Sequence, residues 1–229
     1  MKNNIVFCLI LVFNLKLSSQ NNLIIKNFDN RIGLQNTNLS YGKLFVEEFR
    51  KIDGNHNYLK SSKFLKGDIT YQNELFINID FKYNLVDDNL IVKIPASSRF
   101  NIIVLEKKHV SKFKIENAIF INTKKFGFIQ ELESTNTISL YKKYRKISHK
   151  KINRNFTHYK FSQKENHIIS FDNNFYEIDY QKSLIKVFPS LKNLIKKFFN
   201  ENRSIRKRSP DDFYKMLVSK LNKELKTRA

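Results

Sequence analysis

The sequence predicts a mainly β protein: an antiparallel sheet, built as a sandwich or a partly open barrel, a meander after it, and a C-terminal α-helical hairpin. Three observations carry this. Residues 74–94 read as a hairpin with one buried face. Short apolar runs separated by polar turns continue to residue 188. Near Pro189 the apolar period changes from two to 3.6.

In the hairpin, Leu75, Ile77, Ile79, Phe81 and Tyr83 alternate with Asn78, Asp80 and Lys82, and only Phe76 breaks the pattern. Asn84, Asp87, Asp88 and Asn89 then supply side chains that bond their own backbone and suit a turn. Leu90, Val92 and Ile94 resume the alternation on the return strand.

From the start of the chain, a basic and polar cap (Met1, Lys2, Asn3, Asn4) precedes an apolar run at 5–13, and Ser18, Ser19 and Gln20 close the segment. This is the pattern of a secretory signal peptide, expected at 1–20 with cleavage near Ser19 or Gln20. The run is shorter than the roughly 20 apolar residues of a membrane span, the alternative being an anchor that stays attached. Cys8, the only cysteine, lies inside the apolar run, so the mature chain is expected to carry neither disulfide nor lipid.

Residues 21–40 read as a spacer or a loosely docked first strand. At 41–49, Leu44, Val46 and Phe49 fall at strand-like positions. Asp53-Gly54 and Gly67-Asp68 are turn signals, the second next to a short strand. After the hairpin, Pro95 marks a break. Strands are expected at 100–105, 110–122, 124–133 and 137–144. In the last of these, Ile138 and Leu140, and by continuation Lys142, share a side. Further short strands are expected at 156–163, 167–171, 175–180 and 183–188.

Leu191, Leu194, Ile195, Phe198 and Phe199 then follow the helical spacing i, i+3, i+4, i+7, i+8, with Ser190 as N-cap. A basic connector covers 200–208. Ser209, Pro210, Asp211 and Asp212 open a second helix with a cap, a first-turn proline and two carboxylates at the positive helix end. Phe213, Leu217, Leu221 and Leu225 form its apolar stripe. The expected organisation is a signal peptide (1–20), a spacer (21–40), a β-rich domain (41–188) and a helical hairpin packed on the sheet (189–229).

Lys and Arg number 42 against 21 Asp and Glu. Loss of Lys2 and Lys16 with the signal peptide leaves 40 basic against 21 acidic side chains, a net charge of +19. Such a charge favours anionic partners. The abundance of Lys with Asn, Ile and Phe is also what an AT-rich genome encodes. An exported protein rarely meets nucleic acid, and no nucleic-acid partner is expected. Two basic stretches are candidate sites for an anion or a partner: Arg145, Lys146, Lys150, Lys151 and Arg154 in the first, Arg203, Arg206, Lys207 and Arg208 in the second. Solvated loops are the alternative reading of both.

Motifs for chemistry are missing. His56, His109, His149, His158 and His167 lack metal-ligand spacing, although His158 and His167 could meet across neighbouring strands without a third ligand. There is no Gly-x-Ser-x-Gly, and the five glycines are too dispersed for a phosphate loop. Glu47-Glu48, Asp87-Asp88, Glu131 with Glu133, and Asp211-Asp212 each have a structural role at hand, leaving only a hydrolase with a dispersed carboxylate pair open. No catalytic residue, metal ligand or cofactor is assigned.

Three stretches carry a resemblance: YGKLFVEEF at 41–49, INIDFKYNLVDDNLIVKI at 77–94, and the tail with FYEIDYQKSLIKVF, LIKKFFNEN and DDFYKMLVSKLN. Together with SLYKKY at 139–144 they resemble a group of exported proteins common in Bacteroidota. The resemblance covers most of the mature chain and implies an envelope location but no catalytic residue. The expected role is therefore a non-enzymatic exported protein, periplasmic or at the outer-membrane periphery, acting as an accessory subunit of a larger complex with a protein partner. The alternatives are a binder of anionic lipid or acidic polysaccharide, and a hydrolase.

Overall fold

The computed structural model describes residues 31–50, 54–97, 99–135, 137–153 and 156–228. The expected signal peptide and Arg154 lie outside the described residues. Two compact units divide the chain after Asn117, with residues 50–57 belonging to the second. The protein is mainly β, with eleven strands paired antiparallel and helices at the C-terminal end. Neither unit closes its strands into a barrel.

In the first unit, β1 (Lys43–Leu44), β2 (Leu65–Tyr71), β3 (Glu74–Asn84), β4 (Asn89–Pro95), β5 (Phe100–Val104) and β6 (Val110–Ile115) pair in the order β1-β5-β4-β3-β2-β6. The expected hairpin is β3–β4, and its turn uses the amide chemistry read from the sequence. Asn84 Oδ1 accepts the Val86 N–H at 3.0 Å, and the Tyr83 hydroxyl donates to Asp88 at 2.5 Å.

Phe76, the one exception to the alternation, has a structural cause. Ile69 faces Phe76 and Gly67 faces Ile79, so Ile77 and Asn78 of β3 oppose Asp68 alone. This is a β-bulge, and one extra residue inverts the phase of every side chain beyond it. Phe76 is therefore buried together with Ile79, Phe81 and Tyr83, while Leu75 is exposed. Asn78 takes the left-handed backbone (φ 61°) that asparagine tolerates, and its N–H donates to Asp68 Oδ1 at 3.1 Å. Gly67-Asp68, expected as a turn, is instead the inside of β2. The glycine is needed for close approach of strands: a Cβ there would lie 2.0 Å from the Lys114 carbonyl oxygen.

The 41–49 strand is shorter than expected. Lys43 and Leu44 pair with β5 at the edge of the sheet, the Phe45 N–H donates to the Ile102 carbonyl at 2.8 Å, and Leu44 and Val46 are largely exposed.

In the second unit, β7 (Ala118–Thr123), β8 (Gly127–Glu133), β9 (Ile138–Ile152), β10 (Thr157–Phe171) and β11 (Asn174–Glu177) pair in sequence order. β9 and β10 have 15 residues each and pair without a break from Ile138–Phe171 to Ile152–Thr157. This corrects two expectations. Residues 145–152 are strand and not a basic loop, and 156–163 and 167–171 are parts of one strand. Neither segment contains Gly or Pro to interrupt it, and each strand satisfies the other's backbone groups.

Residues 183–188, expected as a strand, belong to α1 (Gln181–Val187) and its cap. Leu184, Val187 and Phe188 already stand at i, i+3 and i+4 there. The helices α2 (Lys192–Glu201), α3 (Arg203–Arg208) and α4 (Pro210–Arg228) follow. Ser190 lies in a short 3-10 turn and does not cap α2. Ser209 does mark the start of α4, its hydroxyl donating to Asp212 at 2.5 Å. Phe198, Phe213, Leu217 and Leu221 bury the helical faces against Ile138, Leu140 and Ile169 of the sheet.

Candidate functional site

Two features of the second unit could carry function: a buried ionic cluster beneath α4 and the outer part of the β9–β10 ribbon. The cluster grows out of the strand register. Leu140 faces Ile169, and two residues further along on the same side Lys142 faces His167. The apolar face therefore ends in a lysine and a histidine, both buried. The first turn of α4 lies over them.

Asp211 receives both cations, with Oδ1 at 2.7 Å from His167 Nε2 and Oδ2 at 2.9 Å from Lys142 Nζ. Lys142 also reaches Glu165 at 2.6 Å. On the other side of the imidazole, Asp179 accepts the His167 backbone N–H at 2.7 Å, with its carboxylate 3.6 Å from Nδ1. Tyr214, one turn beyond Asp211, lays its ring on the imidazole at 4.2 Å between centroids.

The electrostatics follow from this geometry. Burial opposes the charge on His167, but the hydrogen bonds to Asp179 and Asp211 outweigh it and raise its pKa. Burial likewise opposes the charge on Lys142, yet bonds to Glu165 and Asp211 bring it up to about 12. The His167 bond, against burial and with help from Lys142, holds Asp211 down at about 2. Asp179 is also lowered, because its bonds to His167 and Asn166 exceed the burial penalty. Burial raises the Tyr214 phenol. Below about pH 6.5 the cluster thus holds an imidazolium and an ammonium between ionised carboxylates, and it ties α4 to the sheet.

This arrangement predicts the effect of Asp211→Asn. Removing one partner of a buried pair costs roughly 3–5 kcal/mol. Asp211 is 35% exposed, and Glu165 and Asp179 remain, so about 2 kcal/mol is expected. The sign with pH is fixed by the shifts. The raised His167 contributes fully below its ordinary value of 6.5 and loses its contribution as pH rises through its raised value. The lowered Asp211 contributes fully above 3.8 and loses it as pH falls through about 2. Urea denaturation should show the largest gap between wild type and variant between about pH 4 and 6.5. A gap that grew above that window would contradict the assignment.

The sequence reading missed this cluster as a unit. Asp211 was legible only as a helix-start carboxylate, and its buried partners come from strands far away in the chain. His158 and His167 do not meet across strands, because both lie on β10. His158 is buried beside Phe156, on whose ring the Arg50 guanidinium also sits. Among the described residues, no three His, Cys, Asp or Glu side chains are grouped to hold a metal ion. Of the other carboxylates, Glu47 accepts the Tyr58 hydroxyl at 2.9 Å and Asp87 and Asp88 serve the hairpin turn. Two shallow clefts meet at Lys125 and Tyr176, and neither is lined by a residue of the cluster.

The candidate basic residues separate. Lys146 and Lys150 point to one side of β9, Arg145 and Lys151 to the other. Lys146 is half-buried and donates to the His56 carbonyl at 2.7 Å, and burial lowers its pKa. Arg145 and Lys151 are exposed, and the register adds two residues to their face: Lys164 opposite Arg145, and Lys160 opposite His149. Period-two reading of both strands could have found them, had 145–154 been read as strand.

The second basic stretch is not an irregular connector but the helix α3. Arg203, Lys207 and Arg208 are exposed, while Arg206 is half-buried over the Phe199 ring at 5.2 Å. No family model, curated protein or solved structure matches this chain.

Proposed function

We propose that this chain is a non-enzymatic exported protein, an accessory subunit of a larger complex in the periplasm or at the outer-membrane periphery. The observation that carries this reading is the closure of the ionic cluster. His167, Lys142, Asp179 and Asp211 neutralise one another and hold α4 in place. A hydrolase built on a carboxylate pair needs one carboxyl whose pKa is raised, and both aspartates of the cluster are shifted the other way. The role that fits a cluster spent on holding the fold is docking of a protein partner in the envelope.

The test is affinity purification of the tagged protein from mildly solubilised envelopes. A stoichiometric outer-membrane partner is expected. Recovery of the protein as a lone soluble monomer would count against the reading.

A second reading has its own support. The exposed cations of the ribbon favour an anionic lipid or acidic polysaccharide as ligand, with binding that weakens steeply with salt.

A further inference from the structure

We propose that the face of the β9–β10 ribbon carrying Arg145, Lys151, Lys160 and Lys164 is a docking surface for an anionic phospholipid bilayer. This rests on the anion-binding reading above and gives it a ligand.

The face is built of four successive cross-strand pairs: Arg145 with Lys164, Ile147 with Ser162, His149 with Lys160, and Lys151 with His158. From Arg145 to Lys151 it extends about 20 Å, at about 3.3 Å per residue. All its side chains except His158 are exposed. It carries no carboxylate. β9 contains none, and the only one in β10, Glu165, points to the opposite face and binds Lys142. Among the described residues no ion pair reaches Arg145, Lys151, Lys160 or Lys164.

This is an unfavourable arrangement for the protein alone. Like charges directly opposite each other in a sheet are destabilising. Among the described residues no carboxylate forms an ion pair with Arg145 or Lys164, and an anionic surface supplies the missing partner.

Three features select a bilayer over a soluble polyanion. The face is that of a two-stranded ribbon and offers a plane rather than a groove. It has no Phe or Tyr among its four pairs, since Tyr159 and Phe161 belong to the other face, so bases or sugar rings find no stacking platform. Its centre is Ile147, an apolar side chain 41% exposed between cations. An exposed apolar side chain among cations suits the headgroup boundary of an anionic membrane, where charge and apolar contact act together.

The test uses the full chain and flotation with vesicles of phosphatidylcholine, with or without about one third phosphatidylglycerol. Binding to the anionic vesicles alone is expected. The triple variant Arg145→Gln, Lys160→Gln, Lys164→Gln should lose about a hundredfold in partition, about fivefold for each cation. The equally charged control Lys192→Gln, Lys196→Gln, Lys223→Gln removes exposed lysines of α2 and α4 and should lose less than about fivefold. Ile147→Ser should lose about fivefold at unchanged charge.

The ribbon triple should unfold at the same urea concentration as wild type or a higher one, because it relieves like-charge opposition. Equal losses in the two triples would overturn the proposal, since binding would then follow net charge alone. So would an unaffected Ile147→Ser variant, or a wild-type protein that binds polyphosphate but no anionic vesicle. The outcome is separate from that of the envelope purification: a protein that ignores vesicles yet comes with an outer-membrane partner keeps its accessory role and loses only this surface.

Discussion

Phe213→Ala is expected to destabilise the second unit by about 4 kcal/mol, the range for a fully buried phenylalanine that leaves a cavity. Phe213 has no exposed surface. Its ring meets Phe198 at 5.3 Å, Phe199 at 5.0 Å and Tyr214 at 5.1 Å between centroids, which joins α2 to α4. A loss of this size is a large share of the roughly 5–15 kcal/mol that holds a domain together. It also reaches the ionic cluster. Asp211 and Tyr214 flank Phe213 on the first turns of α4, and both depend on that helix staying docked to meet His167. Phe213→Ala and Asp211→Asn should therefore cost less together than the sum of their single effects, because the first already loosens the helix that carries the second. Urea denaturation with amide exchange on β9 and β10 reads both effects. A loss below about 1 kcal/mol would mean that the aromatic cluster does not hold the helices on the sheet.

Gly67→Ala should cost the first unit about 3 kcal/mol, at the upper end for overpacking, because the obstacle is backbone and cannot rotate away. The added Cβ would sit 2.0 Å from the Lys114 carbonyl oxygen and 2.9 Å from the Phe81 ring. Relief requires β2 and β6 to part at the bulge, where Asp68 also holds the Asn78 N–H. The comparison variant Asp68→Ala removes only that bond and should cost about 1 kcal/mol. Equal effects of the two substitutions in urea denaturation would show that close strand approach is not what Gly67 provides.

The bulge also explains how far the hairpin was legible. Its turn and return strand follow from Asn84, Asp87, Asp88 and Leu90, whose preferences are local. The phase of β3 was not legible, because a bulge is set by what the neighbouring strand presents, here Asp68 and Gly67 of β2. The same limit applies to the edge strand β1, where Leu44 and Val46 have strand character but stay largely exposed. At 183–188 the apolar pattern satisfied both periods, and the buried Leu184 and Phe188 beside Ile178 fit the helical one.

For the candidate sites the division is sharper. Arg145, Lys146, Lys150 and Lys151 stood out as a basic stretch. Their separation into two faces, and the addition of Lys160 and Lys164, needed the pairing of β9 with β10. Arg203, Arg206, Lys207 and Arg208 lie in a helix that the sequence does not announce, because the helical propensity of a six-residue segment is weak without its neighbours.

What the sequence determined by itself is the β-rich class, the central hairpin and its turn, the helical end with the start of α4, and the excess of positive charge. These rest on periodicity, turn residues and composition, which act over a few neighbouring positions. The bulge, the long ribbon with its cationic face and the His167–Asp211–Lys142 cluster come from the folded chain alone. Each brings together residues distant in the chain, and such contacts depend on register. A shift of one residue would send every side chain of a strand to the other face.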